Sequence, residues 1–130
     1  MLHGAGLDFE GDSAQTALAF QGSSASGSSP TFDALPYFAG VDPADPLAIP
    51  GNHPDVLAGF PPSLLITASR DFGASAVWVM HRRLLAAGVE AECITFDGLW
   101  HAHHMSTGLP ESRETFDRLA AFFRRRLAAA

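Results

Sequence analysis

The second half of the chain alternates between short apolar runs and amphipathic segments, and this alternation strongly limits the folds available to it. The runs SLLITA (63–68) and AECITF (91–96) are typical of buried β-strands. Between them, residues 74–87 repeat apolar side chains at helical spacing, and Gly88 follows where a helix commonly ends. The apolar face of this predicted helix consists of Val77, Met80, His81, Leu84 and Leu85.

A second predicted helix begins at Pro110, because proline is favoured in the first turn of a helix. The order strand, helix, strand, helix is a βαβα unit, in which a crossover connection makes the strands parallel. We therefore predict an α/β fold whose functional residues follow the carboxyl ends of the strands. The apolar stripe predicted for the second helix consists of Phe116, Leu119, Ala120, Phe123 and Leu127.

The first half of the chain has a different composition. Residues 21–30 (QGSSASGSSP) bury little apolar surface and predict a flexible loop, and residues 42–62 contain six prolines. We therefore divide the chain into an irregular N-terminal segment, 1–62, and a βαβα unit, 63–130. The first segment is expected to hold the end of a strand, the flexible loop and the Pro-rich stretch.

Charge and cysteine content exclude several functional classes. The net charge is -6 at pH 7, so the clustered cations that bind nucleic acid are not expected. The single cysteine, Cys93, cannot form an internal disulfide and is expected to be a small buried hydrophobe. The sequence has no apolar run long enough for a membrane span and no N-terminal signal-peptide pattern. We therefore expect a cytoplasmic protein.

Asp71 follows the first predicted strand and His101 follows the second, so both side chains should meet at one edge of the sheet. A carboxylate that accepts a hydrogen bond from one imidazole nitrogen fixes the tautomer, and the other nitrogen can then take a proton from a nucleophile. We predict an O–N distance of about 2.6–3.2 Å. Two simpler interpretations remain open: Asp71 caps the following helix, and His101 is an ordinary loop histidine.

Several motifs occur in a characteristic order around these two residues. They are the strand start Pro61-Pro62-Ser63-Leu64, the helix end Ala86-Ala87-Gly88-Val89, and Gly98-Leu99-Trp100-His101, and upstream of them lies the segment 37–48 (YFAGVDPADPLA). Together they resemble the C-terminal part of α/β-hydrolase esterases of the hormone-sensitive-lipase-like family.

The resemblance implies a partial α/β-hydrolase fold that comprises the last two parallel strands and helices. It also implies a serine carboxylesterase acting on small esters without a cofactor, with Asp71 as the acid and His101 as the base of a catalytic triad. A serine peptidase of the prolyl-oligopeptidase type has the same order of acid and base, but the segment 37–48 favours the esterase.

The nucleophile of such hydrolases lies in a Gly-x-Ser-x-Gly motif. Ser13 follows Gly11 and Asp12 as in many esterases of the family, but Gln15 replaces the final glycine, and only ten residues precede Gly11. Residues 6–13 instead resemble the family sequence that follows its sixth strand. We therefore expect the chain to carry the acid and base but neither the nucleophile nor the oxyanion hole, with Ser13 as the weaker alternative.

Other candidate residues have simpler explanations. His101, His103 and His104 could bind a metal together, but neither a cysteine nor a carboxylate at standard spacing completes a zinc site, and we predict no metal. Trp100, beside His101, is a candidate substrate-pocket residue. His81 lies on an apolar helical face and is expected to be packed there.

The family resemblance also bears on assembly. Without the upstream strands of that fold, a strand edge and parts of the helix faces would be uncovered, which favours self-association. We therefore expect a homo-oligomer, most simply a twofold dimer. The alternative function is a non-catalytic half-domain that acts, if at all, by self- or partner association.

Overall fold

The computed structural model describes residues 40–42 and 44–128. The predicted loop at 21–30, Ser13, and residues 37–39 and 43 of the segment 37–48 lie outside the described residues, so the proposed division at residue 62 remains a prediction. The elements, in chain order, are a 3-10 turn (Pro50–Asn52), α1 (Pro54–Leu57), β1 (Ser63–Arg70), α2 (Ala74–Ala86), β2 (Ala91–Trp100), a second 3-10 turn (His103–Met105) and α3 (Pro110–Leu127).

The two strands form a parallel sheet, as the βαβα pattern predicts. They run in regular register from Ser63 opposite Ala91 to Ala68 opposite Phe96. Beyond this point the register shifts, and the next pair is Arg70 opposite Trp100. Both strands therefore extend past their predicted ends, and β2 bulges at residues 97–99.

A glycine ends α2 as predicted. Gly88 has φ of +80°, a backbone conformation that residues with a Cβ atom rarely adopt. The Gly88 N–H donates to the Leu85 carbonyl, and the Val89 N–H donates to the Leu84 carbonyl, each at 3.0 Å. This pair of bonds is a Schellman motif, which satisfies two carbonyls at the helix end and directs the chain into β2.

The main hydrophobic core lies toward the amino ends of the strands. It consists of the buried residues Leu57, Met80, Leu84 and Val89, against which Phe60, Leu65, Ala87 and Ala91 pack. His81 is half-buried on the same helix, and its Nε2 lies 3.2 Å from the Ala91 carbonyl oxygen, in agreement with a packed histidine. The placement of Leu85 on the apolar face of α2 is wrong, because that side chain is 49% exposed.

The apolar stripe predicted for α3 is also largely wrong. The helix buries Ser112, Thr115 and Phe122, whereas Phe116 and Phe123 are 49% and 55% exposed. The reason is a set of polar contacts: the Ser112 hydroxyl donates to the His103 carbonyl, and the Thr115 hydroxyl bonds the His103 ring. These contacts orient α3 so that its buried face lies about 100° around the helix axis from the predicted stripe.

Ion pairs connect the C-terminal end of α3 to the N-terminal end of β2. Arg126 pairs with Glu90, and Arg125 pairs with Glu92 at 2.8 Å. These cations also lie in the last turn, where they suit the helix dipole. Among the described helices, none is long and apolar enough to cross a membrane.

Candidate active site

Asp71 and His101 are hydrogen-bonded at the carboxyl edge of the sheet. His101 Nδ1 donates to Asp71 Oδ1 at 2.8 Å, within the predicted range. The Asp71 side chain is 11% exposed, and that of His101 is 42% exposed. The structure therefore combines a buried acceptor with an imidazole that solvent or a ligand can reach.

The Asp71 carboxylate has two further donors. The Gly73 N–H donates to Oδ1 at 2.7 Å, and the Thr67 hydroxyl donates to Oδ2 at 3.1 Å. The N-cap residue of α2 is Gly73 rather than Asp71, so the interpretation of Asp71 as that cap is wrong. The carboxylate nevertheless binds backbone at the entry to α2, and the three bonds fix the orientation in which it meets His101.

The bulge in β2 determines which residue lies opposite Asp71. Before the bulge, paired residues are 28 positions apart in the chain, since Ala68 faces Phe96. After it, they are 30 apart, since Arg70 faces Trp100, and this is also the separation of Asp71 and His101. The shift of two residues therefore places His101 beside the carboxylate.

One aromatic side chain lies against the imidazole of His101, and a second precedes this histidine in the chain. The Phe72 ring lies against it, with centroids 4.3 Å apart and planes tilted by 32°. Trp100 precedes His101 in the chain and is half exposed. Phe72 offers apolar surface beside the histidine. The sequence pattern predicts Trp100 for this role and misses Phe72, although its position directly after Asp71 is an available signal.

His103, unlike His101, is almost fully buried. The intervening Ala102 has φ of 56° and ψ of 30°, a left-handed conformation that is uncommon for a residue other than glycine. His103 is buried against Phe96, with ring centroids 5.0 Å apart, and its Nε2 lies 3.1 Å from the Thr115 hydroxyl oxygen. This burial lowers the pKa of His103 below its ordinary 6.5, and the neighbouring His104 lowers the pKa further.

The three histidines of the metal alternative are held by different partners. His101 is bonded to Asp71, His103 contacts Thr115, and the His104 ring meets the Phe116 ring edge-on at 6.2 Å. No group of three potential metal ligands occurs within residues 40–42 and 44–128.

Two further side chains belong to the sheet and to the helix packed against it. Cys93 is half-buried in β2, and its burial raises the pKa of the thiol, which makes it a weaker nucleophile at neutral pH. The indole of Trp78 donates to the Thr95 hydroxyl at 3.0 Å, which fits a packing role for this tryptophan.

Comparisons with known proteins agree with the fold. A family model described as the alpha/beta hydrolase fold matches residues 4–105. The crystal structure of an esterase, E25, is 30% identical with a TM-score of 0.68, and the alignment covers 90% of this chain. Carboxyl esterase 2 from the mycorrhizal fungus Tuber melanosporum is 28% identical over 75% of this chain, with a TM-score of 0.49. No curated protein matches the chain.

The chain spans only part of these relatives. It covers 36% of the E25 chain and 33% of the fungal carboxyl esterase. The family model nevertheless matches most of the present sequence, and the resemblance to α/β-hydrolase esterases is confirmed. The chain belongs to the α/β-hydrolase fold family.

Proposed function

We propose that this chain supplies the acid and base of a serine carboxylesterase. The observation that carries the proposal is the 2.8 Å hydrogen bond from His101 Nδ1 to Asp71 Oδ1. It joins a buried carboxylate to an accessible imidazole at the functional edge of an α/β sheet. Similarity to esterase E25 over 90% of the chain supports the esterase class.

The geometry suits general-base catalysis. With its Nδ1 proton donated to Asp71, neutral His101 keeps the lone pair of Nε2 for another proton. A serine hydroxyl that attacks the ester carbonyl would transfer its proton to this nitrogen as the acyl bond forms. When the tetrahedral adduct collapses, the same proton passes to the leaving alcohol, and water repeats the sequence to release the acid.

The remaining side chains have supporting roles in this scheme. Asp71 keeps the imidazole in the required tautomer and stabilises the imidazolium that forms in each half-reaction. Trp100 and Phe72 supply apolar surface beside His101 that suits a small ester. The scheme uses no cofactor or metal.

The nucleophile is proposed to lie outside this sequence, and Ser13 is the alternative. On this proposal the 130-residue chain should hydrolyse p-nitrophenyl acetate no faster than a weak general-base background, because it would lack both the nucleophilic serine and the oxyanion hole. Robust turnover that Ser13→Ala abolishes would contradict this and identify Ser13 as the nucleophile.

The direct test starts from the genomic sequence upstream of the first codon. An in-frame Gly-x-Ser-x-Gly preceded by His-Gly-Gly is expected, and the joined reading frame should be an active esterase. In that protein, His101→Ala should reduce kcat by about 10³-fold or more, whereas His104→Ala, the matched control, should retain activity. Full activity of His101→Ala would overturn the assignment.

A second candidate is a non-catalytic half-domain that acts by association. Large apolar side chains on α3 are exposed, namely Phe116, Phe123 and Leu127. Such a stripe on one helix favours contact with another protein surface, most simply a second copy. A genuine stop codon and ribosome-binding site directly upstream would favour this candidate over the esterase.

A further inference from the structure

The bulge in β2 departs from regular sheet pairing at the position where the site is assembled. Between Ala68 and Arg70, β1 contributes only Ser69, whereas β2 contributes residues 97–99. If the regular separation of 28 positions continued, Asp71 would face Leu99 rather than His101. The bulge is therefore a condition of the contact between Asp71 and His101.

The side chain of Ser69 bonds this bulge at two points. Its hydroxyl donates to Asp97 Oδ1 at 2.7 Å, and its oxygen accepts the Gly98 N–H, also at 2.7 Å. Gly98 has φ of +74°, so the bulge uses a conformation open to glycine at low cost. A strand bulge leaves residues without their regular hydrogen bonds to the neighbouring strand. Here the Ser69 hydroxyl donates to one residue of the bulge and accepts from another.

We propose that Ser69 is a positioning residue of the site: its hydroxyl fixes the bulge at residues 97–99 and so holds His101 opposite Asp71. Ser69 touches neither of these side chains through the bonds described above, and its effect passes through Asp97 and Gly98. The inference rests on the proposed function, because it assigns a role in the same acid–base pair.

The mechanism needs the hydroxyl rather than the volume of Ser69. Alanine at this position removes both bonds and leaves the Gly98 N–H to solvent. The bulge would then sample other registers, and the hydrogen bond between His101 and Asp71 would open more often. Threonine keeps a hydroxyl on a residue that suits a strand, and should restore the bonds.

The test uses proton NMR on the full 130-residue chain. The proton shared by His101 Nδ1 and Asp71 should give a downfield resonance, assigned by its loss in Asp71→Asn and in His101→Gln. In Ser69→Ala this resonance should broaden through exchange with water. The Gly98 amide should exchange about fivefold faster or more, as expected for the loss of one hydrogen bond. Ser69→Thr should restore both signals.

The matched control is Ser63→Ala. The Ser63 hydroxyl donates to the Pro61 carbonyl at 2.8 Å at the other end of the same strand. Its removal also deletes one hydroxyl hydrogen bond from β1, but the His101 resonance should remain unchanged. If Ser69→Ala does not fold, Asp97→Ala takes its place; it removes the acceptor of the Ser69 hydroxyl and should broaden the same resonance to a smaller extent.

The outcomes separate the inference from the function on which it rests. A sharp His101 resonance in folded Ser69→Ala, or in the folded substitute Asp97→Ala, would overturn the role of Ser69 and leave the acid–base pair intact. If the unsubstituted chain shows no resonance that depends on Asp71, the pair itself is contradicted, and the positioning role falls with it.

Discussion

The Phe72 ring covers one face of the His101 imidazole at a centroid distance of 4.3 Å. Asp71 binds the edge of the same imidazole through Nδ1. The histidine is thus held by a carboxylate at its edge and by an aromatic ring at its face. These two partners are neighbours in the chain, so one short segment after β1 determines the orientation of a side chain that follows β2.

Replacing Phe72 tests this face contact. Phe72→Leu should destabilise the fold by about 1 kcal/mol, because it removes an aromatic pair while keeping an apolar side chain. It should also remove the ring-current shift of the His101 ring protons, whereas Phe72→Tyr should preserve it. Urea unfolding and carbon-edited proton NMR measure the two effects. Identical His101 shifts in Phe72→Leu and the parent chain would show that the rings do not stack in solution.

The buried His103 should make stability depend on pH. Burial lowers its pKa in the folded state, so between that pKa and the ordinary 6.5 the unfolded chain binds more protons. The contribution of His103 is therefore fully present above pH 6.5 and is lost as the pH falls through its lowered folded-state value. His103→Gln should reduce this loss, since glutamine can donate to Thr115 without titrating.

The measurement is the free energy of unfolding in urea from pH 8 to pH 5. The difference between His103→Gln and the parent chain isolates the contribution of this histidine from those of the other groups. Parallel curves for the two proteins would contradict the assignment of this pH dependence to His103.

Ala102 should respond in opposite directions to two small substitutions. Its φ of 56° lies in the left-handed region, which costs a residue with a Cβ atom about 1–2 kcal/mol. Ala102→Gly relieves this strain but adds about 0.5–1 kcal/mol of unfolded-state entropy, so a small net gain in stability is expected. Ala102→Val should be clearly destabilising, because β-branched side chains tolerate this conformation worst. Equal stability of the glycine and valine variants would contradict the left-handed turn.

The exposed face of α3 should control self-association. We expect a homo-oligomer at micromolar concentration in light scattering, because Phe116 and Phe123 leave apolar area on one side of the helix. The double substitution Phe116→Ser and Phe123→Ser should shift the population toward monomer. Leu85→Ser, which changes a similarly exposed residue on α2, is the control and should leave the proportion of monomer unchanged.

We also predict that the N-terminal segment packs against a second copy, so deletion of residues 1–20 should shift the population toward monomer. A monodisperse monomer that unfolds cooperatively in the parent chain would refute self-association altogether.

Much of the secondary structure follows from local sequence signals. Apolar runs predicted both strands, helical spacing and proline predicted the starts of α2 and α3, and Gly88 marked the end of α2. These signals act over a few residues, through backbone conformation and the period of side-chain burial, so they can be read without knowledge of the rest of the chain. The parallel arrangement follows from the same order of elements, because a helical crossover leaves little other choice.

The tertiary structure alone decided which face of α3 is buried. Apolar residues occur on two adjacent faces of this helix, and periodicity favoured the one with Phe116 and Phe123. The face with Phe122 is buried instead, since Ser112 and Thr115 on that side bond the distant His103. A hydrogen bond between separate elements has no signature in the period of either one.

The candidate site also has one part that follows from the sequence and one that depends on the tertiary structure. The sequence by itself determined that Asp71 and His101 follow neighbouring parallel strands and therefore share one edge of the sheet. Their contact depends on a register shift of two residues, supported by the bonds of Ser69 across the strands. Register is set by pairing between strands, and a bulge changes it without altering the alternation within either strand, so only the folded sheet shows why His101 lies opposite Asp71.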